Sequence, residues 1–317
     1  MSILLAVANA ENPWVQSVAE ALRRELPHQE IIFIGEPFDR RAVHYAVAWK
    51  HKPGSLDNLP ALEAVFSLGA GVDFLMQDER LPDVPVFRIA QDDLTFRMSE
   101  YIVLHALMHL RDQRRYDMQQ MRREWNTEHE APIASSVRVG VMGMGVLGGD
   151  AAAKLKIMGF DVAGWSRTPK EVLGIPVFSG NDGQEAFLKR TDILAVLLPL
   201  TEETRGILNL DLFEKLARDG KLGGPVLINA GRGGLQVEAD ILKALDSGVL
   251  KAASLDVFET EPLAQDSPLW THPQVIISPH NAAASEAVAT VRYIAQQIKR
   301  FEAGEHVSGQ VDPERGY

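Results

Sequence analysis

Three segments of the 317-residue chain carry side chains that could hold an anion and move a proton: "NAGRGG" (229–234), "LDVFETEPL" (255–263) and "SPHNAA" (278–283). Each follows, or begins within, a short apolar run that reads as a strand, and in an open α/β sheet ligands gather where the strands end. Arg232 could grip a carboxylate through two parallel N–H bonds. His280 could exchange a proton near neutral pH, and Glu261 could orient it and favour its charged form. Singly, each has an ordinary alternative: an arginine tying down a Gly-rich turn, a surface acid, a loop histidine. Their appearance after successive strands is what makes them a set.

A second constellation lies upstream. "VRVGVMGMGVLGGDAAAKLKIMGFDVAGWS" sets Gly143, Gly145 and Gly148 in the spacing G-x-G-x-x-G between a strand and a helix, with a second strand following. That order is the fingerprint of a dinucleotide site: one glycine for the tight turn, one for approach of the pyrophosphate to the backbone, one for close packing of helix on strand. The phosphates would face the helix N-terminus around Val146 and Leu147. The second strand ends at Trp165, where an acid often holds the ribose hydroxyls. Here the chain reads "SRTPK", so Ser166, Arg167 and Lys170 supply donors and positive charge suited to a 2′-phosphate. A basic turn that is merely solvated is the alternative, and NADPH is expected over NADH.

The chain as a whole limits other chemistries. Cysteine is absent, which excludes disulfides, thiolate nucleophiles and Cys-type zinc sites, so redox work requires a borrowed cofactor; no metal is expected. With 32 basic and 43 acidic residues the net charge is −11, which opposes nucleic acid and anionic lipid as partners. The most basic stretch, "RDQRRYDMQQMRREW" (111–125), has acids and a helical rhythm and reads as a solvated or partner-facing helix. No run approaches the ~20 apolar residues of a membrane span, and the opening "ILLAVA" reads as a buried first strand, so a cytoplasmic protein is expected.

What must position these residues is legible as two α/β series. "ILLAVA" (3–8), "IIFIG" (31–35), "YAVAWK" (45–50), "AVFSLG" (64–69) and "VPVFRI" (84–89) are near-continuous apolar strands, with a helix from about Pro13 to Leu26. One long helix is expected over 98–125. Six strands then follow, at 137–143, 161–166, 193–199, 225–230, 253–258 and 275–280, separated by helical segments. The last helix should stop at Gly304. Two doubly wound parallel-sheet domains result, in keeping with a length above one comfortable core.

Taken together, "SLGAGVD" (67–73), "GVMGMGVLG" (140–148), "LLPLTEETRGIL" (197–208), "LINAGRGG" (227–234), "LDVFETEPL" (255–263) and "ISPHNAA" (277–283) resemble the D-isomer-specific 2-hydroxyacid dehydrogenases from end to end. "AVFSLGAGVD", "WSRTPK", "PLW" before "HPQV", and "GQVDPERGY" further resemble the glyoxylate/hydroxypyruvate reductase A type. The resemblance implies hydride transfer between nicotinamide and C2 of a small 2-keto acid. Arg232 would bind the substrate carboxylate and polarise the carbonyl, His280 would donate the proton, and Glu261 would pair with His280. The backbone at Ala70 and Gly71 would give a second grip on the carboxylate. Asp256, the Ala230 carbonyl and His280 itself would adjoin the nicotinamide end, with Leu198, Pro199 and Thr204 lining the cofactor. Also implied are a flavodoxin-like substrate domain of residues 1–100 and 285–317, interrupted by a Rossmann NADP(H)-binding domain of residues 101–284, a cleft between them that closes on substrate, and a homodimer.

Some features depart from the family's pattern. "NAGRGG" ends in glycine where many relatives have a bulkier residue, and Asp150 sits near the expected phosphates, which it would repel unless it points away. The segment "FRIAQDDLTFRMSE" leaves the preferred substrate size open; Trp49, Arg88 and Trp270 fit pocket walls and fit structural roles equally. Other readings are a related specificity such as phosphoglycerate or formate oxidation, or a nicotinamide-sensing binding module on the same fold.

Overall fold

A computed structural model describes residues 2–128 and 130–313. The chain folds into two compact units, one from the segment up to Asp93 together with the segment from Ser285 onward, the other Leu94–Ala284. Against expected divisions after 100 and 284, the chain divides after Asp93 and after Ala284, because it leaves the first unit as soon as its long helix begins at Asp92.

The first unit holds a parallel sheet of β1 (Ser2–Val7), β2 (Glu30–Phe33), β3 (Val43–Trp49), β4 (Ala64–Ser67) and β5 (Val86–Phe87) in the order β2-β1-β3-β4-β5. That is the flavodoxin-like order, with its switch point between β1 and β3. Every residue of β1 is buried, which explains its unbroken apolar run. Helix α1 (Pro13–Glu25) begins where Asn12 accepts the Trp14 amide at 2.9 Å and Pro13 occupies the first turn. It packs against the closing helix Ala287–Glu302, and the short α2 (Asp73–Met76) follows β4. The closing helix ends as expected at Gly304, whose φ of +69° is followed by a Glu305 amide bond to the Arg300 carbonyl at 2.9 Å. Beyond it Gln310 bridges Phe87 and the Val311 amide bonds to Val86. The last four residues of "GQVDPERGY" lie outside the described residues.

In place of one helix over 98–125, the second unit begins with two, α3 (Asp92–Leu110) and α4 (Gln113–Arg122). Asp112 breaks them with φ 52°, a left-handed conformation that costs an L-residue ~1–2 kcal/mol but suits Asp better than most. Helix α4 has no buried residue, so nothing in its packing continues the register of α3.

The sheet of the second unit has seven strands rather than six: β6 (Arg138–Met142), β7 (Asp161–Ser166), β8 (Val177–Ser179), β9 (Ile193–Val196), β10 (Val226–Asn229), β11 (Ala252–Leu255) and β12 (Val275–Ile277). All pairings are parallel, in the order β12-β11-β10-β9-β6-β7-β8, the Rossmann arrangement extended by one strand. Successive strand residues face opposite sides. Val139, Val141, Ile193, Ala195 and Ile228 pack with Ile102 and Ala106 of α3 and with Ala152 and Leu155 of α5 (Val146–Ile157). Leu194, Val196, Leu227 and Leu255 pack instead with α6 (Gly180–Lys189), α7 (Leu210–Glu214) and α8 (Glu238–Asp246) through Phe187, Phe213 and Ile241. Each fully buried Leu or Ile is worth ~1.5–3 kcal/mol, and two covered faces hold the strand ends in fixed register.

Candidate active site

Arg232, Asp256, Glu261 and His280 all lie beyond the carboxyl ends of the neighbouring strands β10, β11 and β12. The Arg232 turn is set by Asn229, the fully buried last residue of β10. Its amide nitrogen donates to the Arg232 carbonyl at 3.2 Å and to Gln236 Oε1 at 2.8 Å, while its oxygen accepts the Gly231 amide at 3.1 Å. Gln236 in turn donates to the Val257 carbonyl at 3.0 Å, stitching this turn to the segment that carries Glu261. Gly233 seals the contact: a Cβ there would stand 1.7 Å from the Phe258 carbonyl oxygen. At Gly234 a Cβ would meet the flexible end of Leu200 at 2.9 Å, so the departure from bulkier relatives goes with a filled neighbourhood. The half-buried Arg232 side chain donates to the Gly231 carbonyl at 2.8 Å.

His280 and Glu261 are in direct contact. Nδ1 lies 2.8 Å from Glu261 Oε2 and 3.0 Å from Oε1, with both side chains about a quarter exposed (30% and 23%). A carboxylate only accepts, so Nδ1 carries a proton and Nε2 is the imidazole atom left to work on a ligand. His280 has φ 53°, the left-handed region again, and Asp256 holds it there. The Asp256 carbonyl accepts the His280 amide at 2.7 Å, and its buried carboxylate accepts Ser278 Oγ at 2.6 Å and the amides of Asn281 and Ala282, each at 3.0 Å. A carboxylate has about four acceptor positions, so this clamp uses three and leaves room for one further donor.

The glycine loop fits a dinucleotide on its own geometry. Gly143 has φ +108°, and a Cβ there would meet the Leu197 carbonyl oxygen at 2.6 Å; at Gly148 a Cβ would meet the Gly143 carbonyl oxygen at 1.9 Å. Gly145 by contrast has nothing within 4 Å of its Cβ position, an open approach to the backbone at the N-cap of α5. No side chain caps that helix and no acid lies in its first turn, so the amides around Val146 and Leu147 present a site for phosphate oxygens. Asp150 points away: Ser99 Oγ donates to it, as does Lys154 Nζ at 2.7 Å, on the side facing α3. Its charge is thereby paired with Lys154 on the same helix.

The basic turn is organised as follows. Ser166, buried at the end of β7, donates to the Thr168 carbonyl at 2.7 Å; Lys170 Nζ donates to the Met144 carbonyl of the glycine loop at 2.9 Å. Arg167 pairs with Glu203 at 3.0 Å across an exposed gap. Leu198 and Pro199 follow β9, and Thr204 Oγ1 folds their loop by donating to the Pro199 carbonyl at 2.8 Å. Ala230 is buried directly after β10.

Trp49, Ala70, Gly71 and Arg88 belong to the first unit, where they share the carboxyl edge of β3, β4 and β5. The Trp49 ring covers Gly69, whose Cβ position lies 2.2 Å from it, and packs edge-on to Phe74. The Arg88 amide bonds to the Gly309 carbonyl at 2.9 Å. Trp270, in the second unit, is half-exposed on the turn Pro268–Trp270, with its indole donating to the Ala264 carbonyl at 2.9 Å.

Sequence reasoning missed a buried polar group behind His280. Tyr101, His105 and His109 rise along one face of α3, and Ser278 and Ser254 meet them from the sheet. Their spacing of four on the otherwise apolar stretch 101–110 was the available signal. It also missed Glu203 opposite Arg167.

Known proteins resemble the chain over nearly its whole length. The model of the family described as D-isomer specific 2-hydroxyacid dehydrogenase, NAD binding domain, matches residues 103–282. Glyoxylate/hydroxypyruvate reductase A of Serratia proteamaculans is 40% identical over 304 residues, 93% of this chain and 94% of that protein. Among solved structures, the NADPH-dependent glyoxylate/hydroxypyruvate reductase of Sinorhizobium meliloti, in complex with NADP and sulfate, has a TM-score of 0.92 at 46% identity and 100% coverage of both chains. A probable 2-hydroxyacid dehydrogenase of Rhizobium etli with NADP, HEPES and L(+)-tartaric acid has a TM-score of 0.93 at 46% identity, covering 100% of this chain and 99% of that one. The chain belongs to the D-isomer-specific 2-hydroxyacid dehydrogenases, a family of oxidoreductases.

Proposed function

We propose that the protein reduces small 2-keto acids with NADPH, glyoxylate to glycolate and hydroxypyruvate to D-glycerate. The observation that carries the reading is the His280–Glu261 pair at 2.8 Å, on strand ends adjoining the Arg232 turn and in the same sheet as an open glycine cradle. The nicotinamide, when bound, supplies a hydride to C2 of the keto acid. Arg232 takes the substrate carboxylate and draws charge from the adjoining carbonyl; in the first unit, the backbone amides of Ala70 and Gly71 are the candidates for carboxylate binding. His280 Nε2 delivers the proton to the carbonyl oxygen, so that two electrons and two hydrogens convert C=O to CH–OH. Glu261 holds Nδ1 and thereby aims Nε2.

The cofactor would lie along the carboxyl edge, with its pyrophosphate over Gly145 and the first amides of α5. Leu198, Pro199 and Thr204 would line it, and the Ala230 carbonyl and the remaining acceptor position of Asp256 would receive the carboxamide. Ser166, Arg167 and Lys170 would surround the 2′-phosphate, which competes with Glu203 for Arg167. The S. meliloti relative, named for its NADPH dependence, supports that choice over NADH. Trp49 and Arg88 in the first unit, and Trp270 in the second, are each candidates for substrate contact. The reading carries with it a homodimer formed through the nucleotide-binding unit and a cytoplasmic location, where free dinucleotide is the reductant at hand. Among the described residues no helix is long and apolar enough to cross a membrane.

The test is a steady-state comparison of glyoxylate, hydroxypyruvate and pyruvate, each with NADPH and with NADH. Oxidation of NADPH by glyoxylate or hydroxypyruvate, faster than with NADH, is expected. No turnover with any of the three would overturn the reading.

A further inference from the structure

We propose that Tyr101 is a positioning residue for His280, acting through Ser278 and Asp256; the proposal rests on the reading of His280 as proton donor. Its first support is the direction of a hydrogen-bond chain. The Asp256 carboxylate accepts two backbone amides, and the single hydroxyl proton of Ser278 goes to it at 2.6 Å. Ser278 Oγ therefore faces the Tyr101 hydroxyl, 2.9 Å away, as an acceptor, and Tyr101 donates. Burial pushes the Tyr101 hydroxyl well above its ordinary range, which keeps it a donor at any working pH. Three groups aligned donor to acceptor polarise one another, so the last bond depends on the first.

The second support is what the end of the chain does. Asp256 fixes the backbone on both sides of His280: its carbonyl takes the His280 amide at 2.7 Å and its carboxylate takes the amides of the two following residues. Without that clamp a non-glycine residue at φ 53° would relax, and its ring would swing away from Glu261. Ser278 is the remaining ligand of the clamp, and Tyr101 is what holds the Ser278 hydroxyl in place.

Third, Tyr101 is itself locked. Its ring lies on the His105 imidazole with centroids 4.0 Å apart, and His105 Nδ1 is 2.8 Å from Ser254 Oγ of β11, the strand that leads into Asp256. Helix α3 thus meets two neighbouring strands here, β11 through the His105 bond to Ser254 and the end of β12 through the Tyr101 bond to Ser278. A core tyrosine that merely filled space would need neither.

The test uses Tyr101→Phe, Ser278→Ala and the double variant of the full-length protein, with Tyr116→Phe on the surface of α4 as a control. Two readouts are taken. In the first, the imidazole proton resonance of His280, assigned by its loss in His280→Ala, is followed by NMR without substrate or cofactor. It should move in both single variants and stay in place in the control. In the second, kcat for glyoxylate reduction should fall about three- to ten-fold in each single variant, the size of one buried hydrogen bond, while KM for NADPH stays near wild type and the unfolding temperature falls by only a few degrees. The double variant should be no worse than the poorer single, because both substitutions cut one chain. An unmoved His280 resonance, or additive losses of kcat with matching losses of KM and unfolding temperature, would overturn the proposal. Should the resonance move in a wild-type background that turns over no keto acid, the positioning role stands and the functional reading falls.

Discussion

Replacing Gly145 with alanine should leave the fold intact and cripple dinucleotide binding. The backbone at Gly145 has φ −78° and ψ −160°, open to any L-residue, and a Cβ added there meets no atom within 4 Å. The new methyl therefore costs the protein nothing while the cradle stands open. A pyrophosphate crossing that backbone at contact distance meets the methyl directly, and overpacking of this kind costs ~1–3 kcal/mol, or roughly 5- to 150-fold in dissociation constant. Two neighbouring glycines serve as controls. Gly148→Ala puts a Cβ 1.9 Å from the Gly143 carbonyl oxygen, so stability and binding should fall together. Gly149→Ala, inside α5 with nothing within 4 Å, should gain ~0.5–1 kcal/mol of stability and leave binding alone. The assays are NADPH titration by fluorescence and thermal unfolding of the three variants. Wild-type affinity in Gly145→Ala, or a loss of stability there matching Gly148→Ala, would refute the placement of the phosphates.

The basic turn predicts cofactor choice. Arg167→Gln should weaken NADPH by ~1.5 kcal/mol, the low end for a charge-assisted hydrogen bond because Glu203 already competes for the guanidinium, and should spare NADH. Equal loss of both cofactors in titrations would mark the turn as structural. The buried histidines predict acid sensitivity: burial lowers His105 from 6.5 to about 4 and His109 to about 3, the latter helped by His105 and Lys251, while Asp256 opposes the shift at His105. Groups whose folded values are depressed take up protons mainly when unfolded, so this stability is complete above about pH 6.5 and falls as pH drops toward 4. Each histidine adds a slope of ~1.4 kcal/mol per pH unit at most. Urea unfolding between pH 7 and pH 4 measures it, and His109→Gln should reduce the slope; a flat profile would contradict burial of the pair.

The strands carried their identity in sequence because two covered faces demand near-continuous apolar runs, as in the fully buried β1 and β9. The same logic failed for β8, three half-exposed residues with no pattern to show. Asp112 escaped notice because neither glycine nor proline marks the left-handed residue between α3 and α4. In the site, the turn at Gly143 and the close packing at Gly148 were legible from spacing alone, since each follows from what a missing Cβ permits. The direction Asp150 takes was not, because it depends on Ser99 arriving from α3. Tyr101 and Ser278 are separated by 177 residues, and only the folded chain brings their hydroxyls together. Asp256 illustrates the boundary: its place at a strand end was readable, its three-donor grip on the His280 loop was not.

The central claim, that His280 Nε2 hands the proton to the reduced carbonyl while Glu261 holds Nδ1, is tested most directly by His280→Ala. One variant is assayed for glyoxylate turnover with NADPH and for NADPH affinity in the absence of substrate. General acid catalysis is worth ~10²–10⁴ in rate, so kcat should fall by about that factor with the NADPH dissociation constant essentially unchanged. Turnover within a few-fold of wild type, or an equal loss of turnover and NADPH affinity, would contradict the assignment of His280 as proton donor.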